Sequence, residues 1–244
     1  MIPYKIAAFD TLPSTQDEMR RRLYVGEDVH GLVVQAACQT AGRGQRARDW
    51  QAARGGSYQT LAVRFNFAPP YAALVLALGI AEVLPTYGVQ VGLKWPNDLF
   101  YRGKKLAGIL VEGVQGHLLI GVGLNVNNEV PTGAVGLRGW DVQGAHMVVL
   151  EGVGRGLAYL EDKTFRLSDA YAPFDLLLGE HVELLTAGGI QVGVGAGVDA
   201  FGRFLLQQGE KITPFSSARL QTFSLRQLAR PLCSGARRSG AGFV

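Results

Sequence analysis

The most informative stretch of this 244-residue chain runs from residue 94 to residue 125 and reads KWPNDLFYRGKKLAGILVEGVQGHLLIGVGLN. Its second half holds two apolar runs with strand character, which a Gln115-Gly116 turn would pair as a hairpin. Its first half is a Trp-Pro-Asn-Asp cluster bounded by apolar residues, which is typical of a strand that leads into a turn. The stretch therefore predicts antiparallel strands in the middle of the chain.

Strand and helix signals alternate on both sides of this hairpin. Ser14 stands ahead of an acid at position 17, and a serine N-cap followed by an acid in the first turn predicts a helix start. Apolar periodicity predicts strands at 5–10, 31–38 and 57–67, a buried helix at 71–86, a helix at about 145–161 and weaker helix up to about 175. We therefore expect one large domain over residues 1–177.

The pattern of apolar residues changes at Gly179. Short apolar runs separated by glycine pairs and turns predict a small antiparallel barrel of roughly 50 residues. We place this second domain at 178–228. Residues 229–244 are rich in Ser, Gly and Arg without a period, so we expect a disordered tail there.

Composition narrows the class of protein. Apolar residues make up 48% of the chain, which is enough for a sizeable core. The only cysteines are Cys38 and Cys233, so a disulfide framework is excluded and a reducing compartment is favoured. The longest apolar run, Tyr71 to Leu84, is too short for a bilayer, which needs about 20 residues. No secretion signal pattern opens the chain, so we expect a cytoplasmic protein without a membrane partner.

The positive charge is concentrated in three places. The net charge is +4 and the pI is about 9.2, so a small RNA- or DNA-binding module is one alternative. However, residues 43–54 hold four arginines and one aspartate, residues 94–105 hold four cations and one aspartate, and the tail holds three arginines. Two local cationic segments suit one triphosphate and one carboxylate better than a nucleic-acid backbone.

The first cationic segment lies in GRGQRARDW at residues 42–50. Glycines allow a ligand to approach the backbone closely, and arginine forks bind phosphate through two parallel hydrogen bonds. Trp50 could stack on a base or close over a ligand. No Gly-Lys-Ser/Thr follows, so the segment is not a Walker A loop. Without other signals, a solvated basic loop explains it as well.

The second cationic segment holds Asp98, which could bind Mg²⁺ through one carboxylate oxygen, and Lys105, which opens an apolar strand. A capped turn with ordinary surface lysines is the simpler alternative. The later stretch GVGLNVN at 121–127 lacks the third glycine of a dinucleotide fingerprint. It predicts instead a glycine-bearing strand packed closely against a neighbour.

Taken together and in this order, these features resemble biotin protein ligases over about residues 5–228. The matching motifs are Ser14-Thr15-Gln16, Gln39, Gly42 to Trp50, Lys94 to Asp98, Lys105 to Leu110, Gly121 to Asn125 and Ser-Leu-Arg at 224–226. The resemblance implies a mixed-sheet α/β catalytic domain similar to class II aminoacyl-tRNA synthetases, followed by an SH3-like barrel. It implies that the biotin carboxylate attacks the α-phosphate of MgATP, giving biotinyl-5′-AMP and pyrophosphate. A lysine of a biotin carboxyl carrier protein then attacks the mixed anhydride.

The resemblance also implies a role for each matched residue. Lys105 and Arg43 are expected to be the catalytic cations. The biotin-binding residues are expected to be Ser14, Thr15, Gln16, Gln39, Gly42, Arg43, Gly44, Gln45, Lys105, Gly108, Gly121 and Gly123. The residues on the ATP side are expected to be Arg46, Arg48, Trp50, Lys94, Asn97, Asn125 and Arg226. Asp98 is expected near Mg²⁺.

The chain departs from the family pattern at three positions. Gln45 stands where the family usually has a second arginine, Ala47 where it has glycine, and Gln16 where it has asparagine. Ser14 begins the motif series after only 13 residues, so we expect no N-terminal winged helix-turn-helix and no binding to DNA. The sequence leaves the oligomeric state open, with a homodimer as one option.

A lipoate ligase or octanoyl transferase is the closest competing enzyme, because it shares the fold and also modifies a carrier lysine. The Gly/Arg-rich segment and Lys-Trp-Pro-Asn-Asp favour biotin over these substrates.

Overall fold

The computed structural model describes residues 3–66 and 68–223, which form two β-sheets and four α-helices. The helices are α1 (Thr15–Tyr24), α2 (Ala72–Val83), α3 (Val142–Glu161) and α4 (Leu167–Tyr171). The strands are β1 (Lys5–Leu12), β2 (Leu32–Arg43), β3 (Asp49–Ala52), β4 (Ser57–Arg64), β5 (Gly92–Lys94), β6 (Asp98–Tyr101), β7 (Lys104–Val114), β8 (His117–Leu124), β9 (His181–Thr186), β10 (Gly189–Val198), β11 (Phe204–Gln208), β12 (Lys211–Phe215) and β13 (Arg219–Phe223). Short 3-10 turns lie at Gln45–Ala47, Leu84–Tyr87 and Ala172–Phe174. The predicted role of Arg226 and the predicted tail at 229–244 lie outside the described residues.

The first sheet holds its strands in the order β1-β2-β4-β8-β7-β6-β5, with β3 paired to the end of β2. It is mixed, because β1 and β2 run parallel whereas the other neighbours are antiparallel. Helix α1 covers one face through Met19 and Leu23, and α2 and α3 cover the other. The adjacent residues Val33 and Val34 belong to opposite cores, as strand alternation requires. This arrangement confirms the expected mixed α/β class.

The elements nearest the site form as the sequence predicts. Ser14 caps α1, since its Oγ accepts a hydrogen bond from the Asp17 backbone N–H at 3.4 Å. Strands β7 and β8 pair as the expected hairpin. Gln115 and Gly116 form its turn with φ values of 46° and 73°, which match the twist that a two-residue hairpin turn needs.

The Gly/Arg-rich segment is more regular than the loop that the sequence suggests. Strand β2 continues through Gly42 to Arg43, and β3 begins at Asp49, so that Gly42 pairs with Trp50. A Cβ atom on Gly42 would lie only 2.4 Å from the Trp50 carbonyl oxygen. The glycine therefore allows the two strands to approach each other closely. The sequence did not indicate these strands because the segment lacks apolar periodicity. Only the turn between them departs from the sheet.

The second sheet is antiparallel throughout, with the order β12-β11-β10-β9-β13. It agrees with the small all-β unit expected after the main domain; the exact boundary at 177 stays a prediction. Trp95 joins the two sheets, because its Nε1 donates to the Gly202 carbonyl at 2.9 Å and its ring lies 5.7 Å from that of Phe204. Among the described residues, no helix combines the length and apolar character that a membrane crossing requires.

Candidate functional site

Most of the predicted site residues line one cavity, although they come from five separate parts of the chain. The cavity lies between the start of α1, the β2–β3 turn and the glycine-bearing stretches of β7 and β8. The predicted residues in its wall are Ser14, Thr15, Gln16, Gln39, Arg43, Gly44, Gln45, Arg48, Trp50, Asn97, Asp98, Lys105, Gly108, Gly121 and Gly123. Residues to which the sequence assigned no role also line it, namely Asp49, Ile109, Leu110 and Val122 within the motifs and Thr60 outside them.

A second cavity adjoins the first at Asp49, Trp50 and Lys105, which line both. Its remaining wall is Gln51, Asn125, Pro131 and Ala134. The predicted nucleotide residue Asn125 therefore faces this second space. Two neighbouring cavities that share a lysine and a tryptophan can hold two small molecules with their reactive ends at the shared wall.

Three other predicted residues lie outside these two walls. Gly42 supports the backbone of Trp50, as described above. The Arg46 guanidinium donates through Nη2 to Ser217 Oγ at 2.7 Å and to the Ala218 carbonyl at 3.0 Å, so it joins the β2–β3 turn to the second sheet. The third, a lysine at position 94, has its Nζ 5.5 Å from the ring centre of Phe100, and burial lowers its pKa.

Polar side chains form a connected chain at one end of the first cavity. The Thr15 backbone N–H and Oγ1 both donate to Gln39 Oε1, at 2.8 and 3.2 Å. Thr60 Oγ1 lies 2.9 Å from Thr15 Oγ1 and 3.1 Å from Gln16 Oε1. Such a chain can meet a ligand that has both donors and acceptors. The sequence did not identify Thr60 as a site residue, because the alternation of apolar and polar residues in its strand does not show which polar residue faces a ligand.

Glycines form the floor of the first cavity and leave room for Gln16 and Trp50. A Cβ atom on Gly121 would lie 2.6 Å from Gln16 Oε1, and one on Gly123 would lie 2.5 Å from Cε2 of Trp50. Any side chain at these positions would displace one of the two residues. This geometry confirms the sequence interpretation of GVGLN as a glycine-bearing strand packed against neighbours.

Lys105, which lines both cavities, forms an ion pair with Asp98, which lines the first. Lys105 Nζ lies 2.7 Å from Asp98 Oδ1 and 5.4 Å from the ring centre of Trp50. The side chains of Lys105 and Asp98 are 31% and 17% exposed, so the pair is only partly screened by water. The ring Nε1 of Trp50 is buried without a hydrogen-bond partner among the described residues.

Asn97 holds the turn before β6 against β7. Its Nδ2 donates to the Ile109 carbonyl at 2.7 Å, and the Ile109 N–H donates back to the Asn97 carbonyl at 3.1 Å. Asp98 follows Asn97 directly as the first residue of β6, so these two bonds help to fix where that carboxylate lies. One N–H of the Asn97 amide is occupied in this way. If the amide binds a ligand, it would do so through its second N–H or its Oδ1.

The acidic side chains near the site do not form a dedicated metal cage. Within residues 3–66 and 68–223, no three His, Cys, Asp or Glu residues converge as a metal centre would require. Asp98 lines the first cavity, and Asp49 lines both cavities. Isolated carboxylates of this kind fit Mg²⁺ that is held mainly by phosphates and water.

Arg43 is ion-paired on the open side of the first cavity. Its Nη1 lies 2.5 Å from Asp17 Oδ1, and its Nη2 lies 3.2 Å from Glu112 Oε1. Neither carboxylate could be identified from the sequence, because Asp17 resembles an ordinary acid in a first helical turn and Glu112 lies 69 positions from Arg43 along the chain. The site thus has cations at two points, Arg43 and Lys105, that are held in place before any ligand arrives. Such preorganised cations can stabilise negative charge that develops in a reaction.

Comparison with known proteins agrees with this geometry. The family model of the biotin/lipoate A/B protein ligases matches residues 8–127. Over 224 residues the chain is 35% identical to the biotin–[acetyl-CoA-carboxylase] ligase of Mycobacterium tuberculosis, and the match covers 84% of each protein. Over 238 residues it is 29% identical to the bifunctional ligase/repressor BirA of Escherichia coli, covering 86% of this chain and 71% of that protein.

A solved structure gives the same result. The biotin protein ligase from Aquifex aeolicus in complex with biotin and ATP superimposes with a TM-score of 0.78 at 28% identity. The match covers 90% of this chain and 98% of that one. The similarity therefore includes both sheets rather than the catalytic motifs alone. The chain belongs to the biotin protein ligases of the biotin/lipoate A/B protein ligase family.

Proposed function

We propose that this chain activates biotin with ATP to biotinyl-5′-AMP and transfers the biotin to a lysine of a biotin carboxyl carrier protein. The observation that carries the proposal is the pair of adjoining cavities that share Lys105 and Trp50. An adenylation needs a carboxylate and an α-phosphate in contact, and a shared wall with a cation brings the two together.

The first cavity is the proposed biotin site. The glycine floor and the apolar side chains of Ile109, Leu110 and Val122 suit the ring and aliphatic chain of biotin. The hydrogen-bonded chain around Thr15 and Gln39 suits a polar ureido head, which has two N–H donors and one carbonyl acceptor. Ser14 also lines this cavity. Its hydroxyl caps α1 as an acceptor, so its O–H can still donate to the ligand.

The second cavity is the proposed nucleotide site, with Trp50 between the nucleotide and the biotin. Lys105 stabilises the charge that gathers on the α-phosphate as the carboxylate attacks, and Arg43 orients that carboxylate. Asn125 supplies a further polar contact in this cavity. Arg48 lines the first cavity, so a contact between Arg48 and the nucleotide would have to be made from that side. Mg²⁺ that arrives with ATP would neutralise phosphate charge, and Asp98 is the carboxylate that would hold it.

The β2–β3 turn is the proposed cover over biotinyl-5′-AMP. A mixed anhydride hydrolyses in water, so the enzyme must exclude water until the carrier lysine arrives. Gln45 lies in this cover, where the family usually has an arginine. We infer that the missing positive charge weakens retention of the intermediate.

The remaining parts of the proposal concern the setting of the reaction. We infer that the chain works in the cytoplasm. We also infer that a catalytic domain at 1–177 is followed by an SH3-like domain at 178–228, which the second sheet forms. Arg226 is the residue of this second domain that we propose reaches the ATP phosphates. A homodimer is the oligomeric state that we propose to test. Sedimentation at two protein concentrations separates a dimer from a monomer.

Biotin-dependent exchange of pyrophosphate into ATP tests the proposed function. We expect exchange with biotin and none with lipoate or octanoate. Transfer is then followed as a streptavidin-induced mobility shift of a purified carrier protein, with its target lysine changed to arginine as the control. Exchange with lipoate or octanoate alone, or with none of the three acids, would overturn the proposal.

A further inference from the structure

Four charged side chains form a closed ring beside the first cavity. Asp17 and Arg20 come from α1, Arg43 from the end of β2, and Glu112 from β7. Each carboxylate contacts both arginines. The four distances are 3.1 Å for Arg20–Asp17, 2.5 Å for Arg20–Glu112, 2.5 Å for Arg43–Asp17 and 3.2 Å for Arg43–Glu112. The ring therefore connects three separate elements of the fold, and its net charge is zero.

Glu112 occupies a special place in this ring, because it also contacts Gln16. Its Oε2 accepts from Gln16 Nε2 at 2.9 Å, and Gln16 donates a second bond to the Leu119 carbonyl at 3.1 Å. An amide nitrogen has two N–H donors, so both are occupied. The amide oxygen of Gln16 is consequently turned towards Thr60 and the cavity. Gln16 is 3% exposed, so this orientation is held in a buried environment.

Glu112 also fixes the position of Arg43 while leaving some of its N–H donors available. A guanidinium carries five N–H donors, and the bonds to Asp17 and Glu112 occupy two of them. The others remain for an anion in the cavity that Arg43 lines. A long side chain that is already held loses less conformational freedom when it binds a ligand, so the ring reduces the entropic cost of binding.

We propose that Glu112 is a positioning residue for the acid substrate: it orients the Gln16 amide and holds the Arg43 guanidinium towards the cavity. The proposal rests on the function proposed above, since it takes biotin as the ligand of that cavity. It concerns the acid substrate rather than the nucleotide, because the residues whose side chains contact Glu112, namely Gln16, Arg20 and Arg43, do not belong to the second cavity wall.

The test compares Glu112→Gln with a matched control, Glu18→Gln. Like Glu112, Glu18 bridges two arginines, in its case Arg21 and Arg22. All three residues belong to α1, and Glu18 does not line the cavity. In Glu112→Gln an amide N–H₂ replaces one acceptor oxygen, so at least one of the three donors around it loses its partner. Losing a hydrogen bond to a charged group weakens binding by about tenfold or more. The measurements are the Kd for biotin without nucleotide, the KM for ATP at saturating biotin, and the thermal unfolding midpoint.

We expect the Kd of Glu112→Gln for biotin to rise about tenfold while its KM for ATP changes less than about twofold. Glu18→Gln should bind biotin like the wild type. Asp17→Asn, which affects Arg43 but not Gln16, should show a smaller rise. An unchanged biotin Kd in a folded Glu112→Gln overturns the inference, and so does an equal loss of both affinities with a lowered unfolding midpoint. A wild-type protein that binds no biotin would instead refute the proposed function, and the inference with it.

Discussion

Replacing Lys105 with alanine removes the cation at the wall that the two cavities share. A positive charge about 4 Å from the developing phosphate charge contributes roughly 4 kcal/mol at the effective dielectric of a partly buried site. Loss of one preorganised donor in other enzymes costs about 2.7–4 kcal/mol, or about 10²–10³ in rate. We therefore expect Lys105→Ala to lower the rate of adenylate formation by about 10²–10³.

The same replacement should leave the fold intact. Lys105 gives up its 2.7 Å ion pair with Asp98, whose side chain is 17% exposed. An unpaired, partly solvated carboxylate costs at most about 1–3 kcal/mol of unfolding free energy. The stability of a domain is typically 5–15 kcal/mol, so the variant stays folded.

The assay is pyrophosphate exchange at saturating biotin and ATP, with circular dichroism of each variant. Lys104→Ala is the matched control, because Lys104 is the adjacent residue of β7 and is exposed to solvent. It should exchange at the wild-type rate. Near-normal exchange by Lys105→Ala would refute the assignment of the catalytic cation, whereas an unfolded variant would refute the stability estimate.

Three further predictions follow from other parts of the molecule. Gln45→Arg should slow the dissociation of biotinyl-5′-AMP, measured by a filter-binding chase; an unchanged rate would contradict the role given to the β2–β3 turn. Trp95→Phe should lose about 1–3 kcal/mol of unfolding free energy, because the half-buried Gly202 carbonyl loses its donor from the buried Trp95 indole, yet retain exchange activity when folded. Burial lowers the pKa of His146, which shares a hydrogen bond with Ser57 at 2.8 Å, to about 4. The unfolded chain therefore takes up this proton first, so the unfolding free energy should fall by roughly 3 kcal/mol between pH 6.5 and 4. His146→Gln should flatten this slope in acid titrations followed by denaturant.

Local signals predicted the elements that carry the site. Ser14 predicts the start of α1 because its hydroxyl satisfies a backbone donor within three residues. The Gln115-Gly116 turn predicts the β7–β8 hairpin because a two-residue turn fixes the pairing. The ordered motifs, through the family resemblance that they carry, also named most of the residues that line the first cavity.

Contacts between distant residues could not be predicted in this way. Arg46 belongs to a motif that suggests a phosphate ligand, yet its guanidinium bonds to Ser217, 171 positions away. Trp95 is a similar case. It lies in a motif that suggests a ligand site, yet its indole contacts Gly202 and Phe204 of the second sheet region. Glu112 carried no signal, because a single acid in an apolar strand does not indicate which arginines the fold brings to it.

In the mechanism that we propose, biotin and ATP react across the wall formed by Lys105 and Trp50. Pyrophosphate exchange into ATP with purified protein tests it most directly, because exchange needs a bound acid, a bound nucleotide and an intact cation between them. We expect exchange that depends on biotin, does not occur with lipoate or octanoate, falls by about 10²–10³ in Lys105→Ala and is kept in Lys104→Ala. Exchange that is independent of biotin, or equal in the two lysine variants, would contradict it.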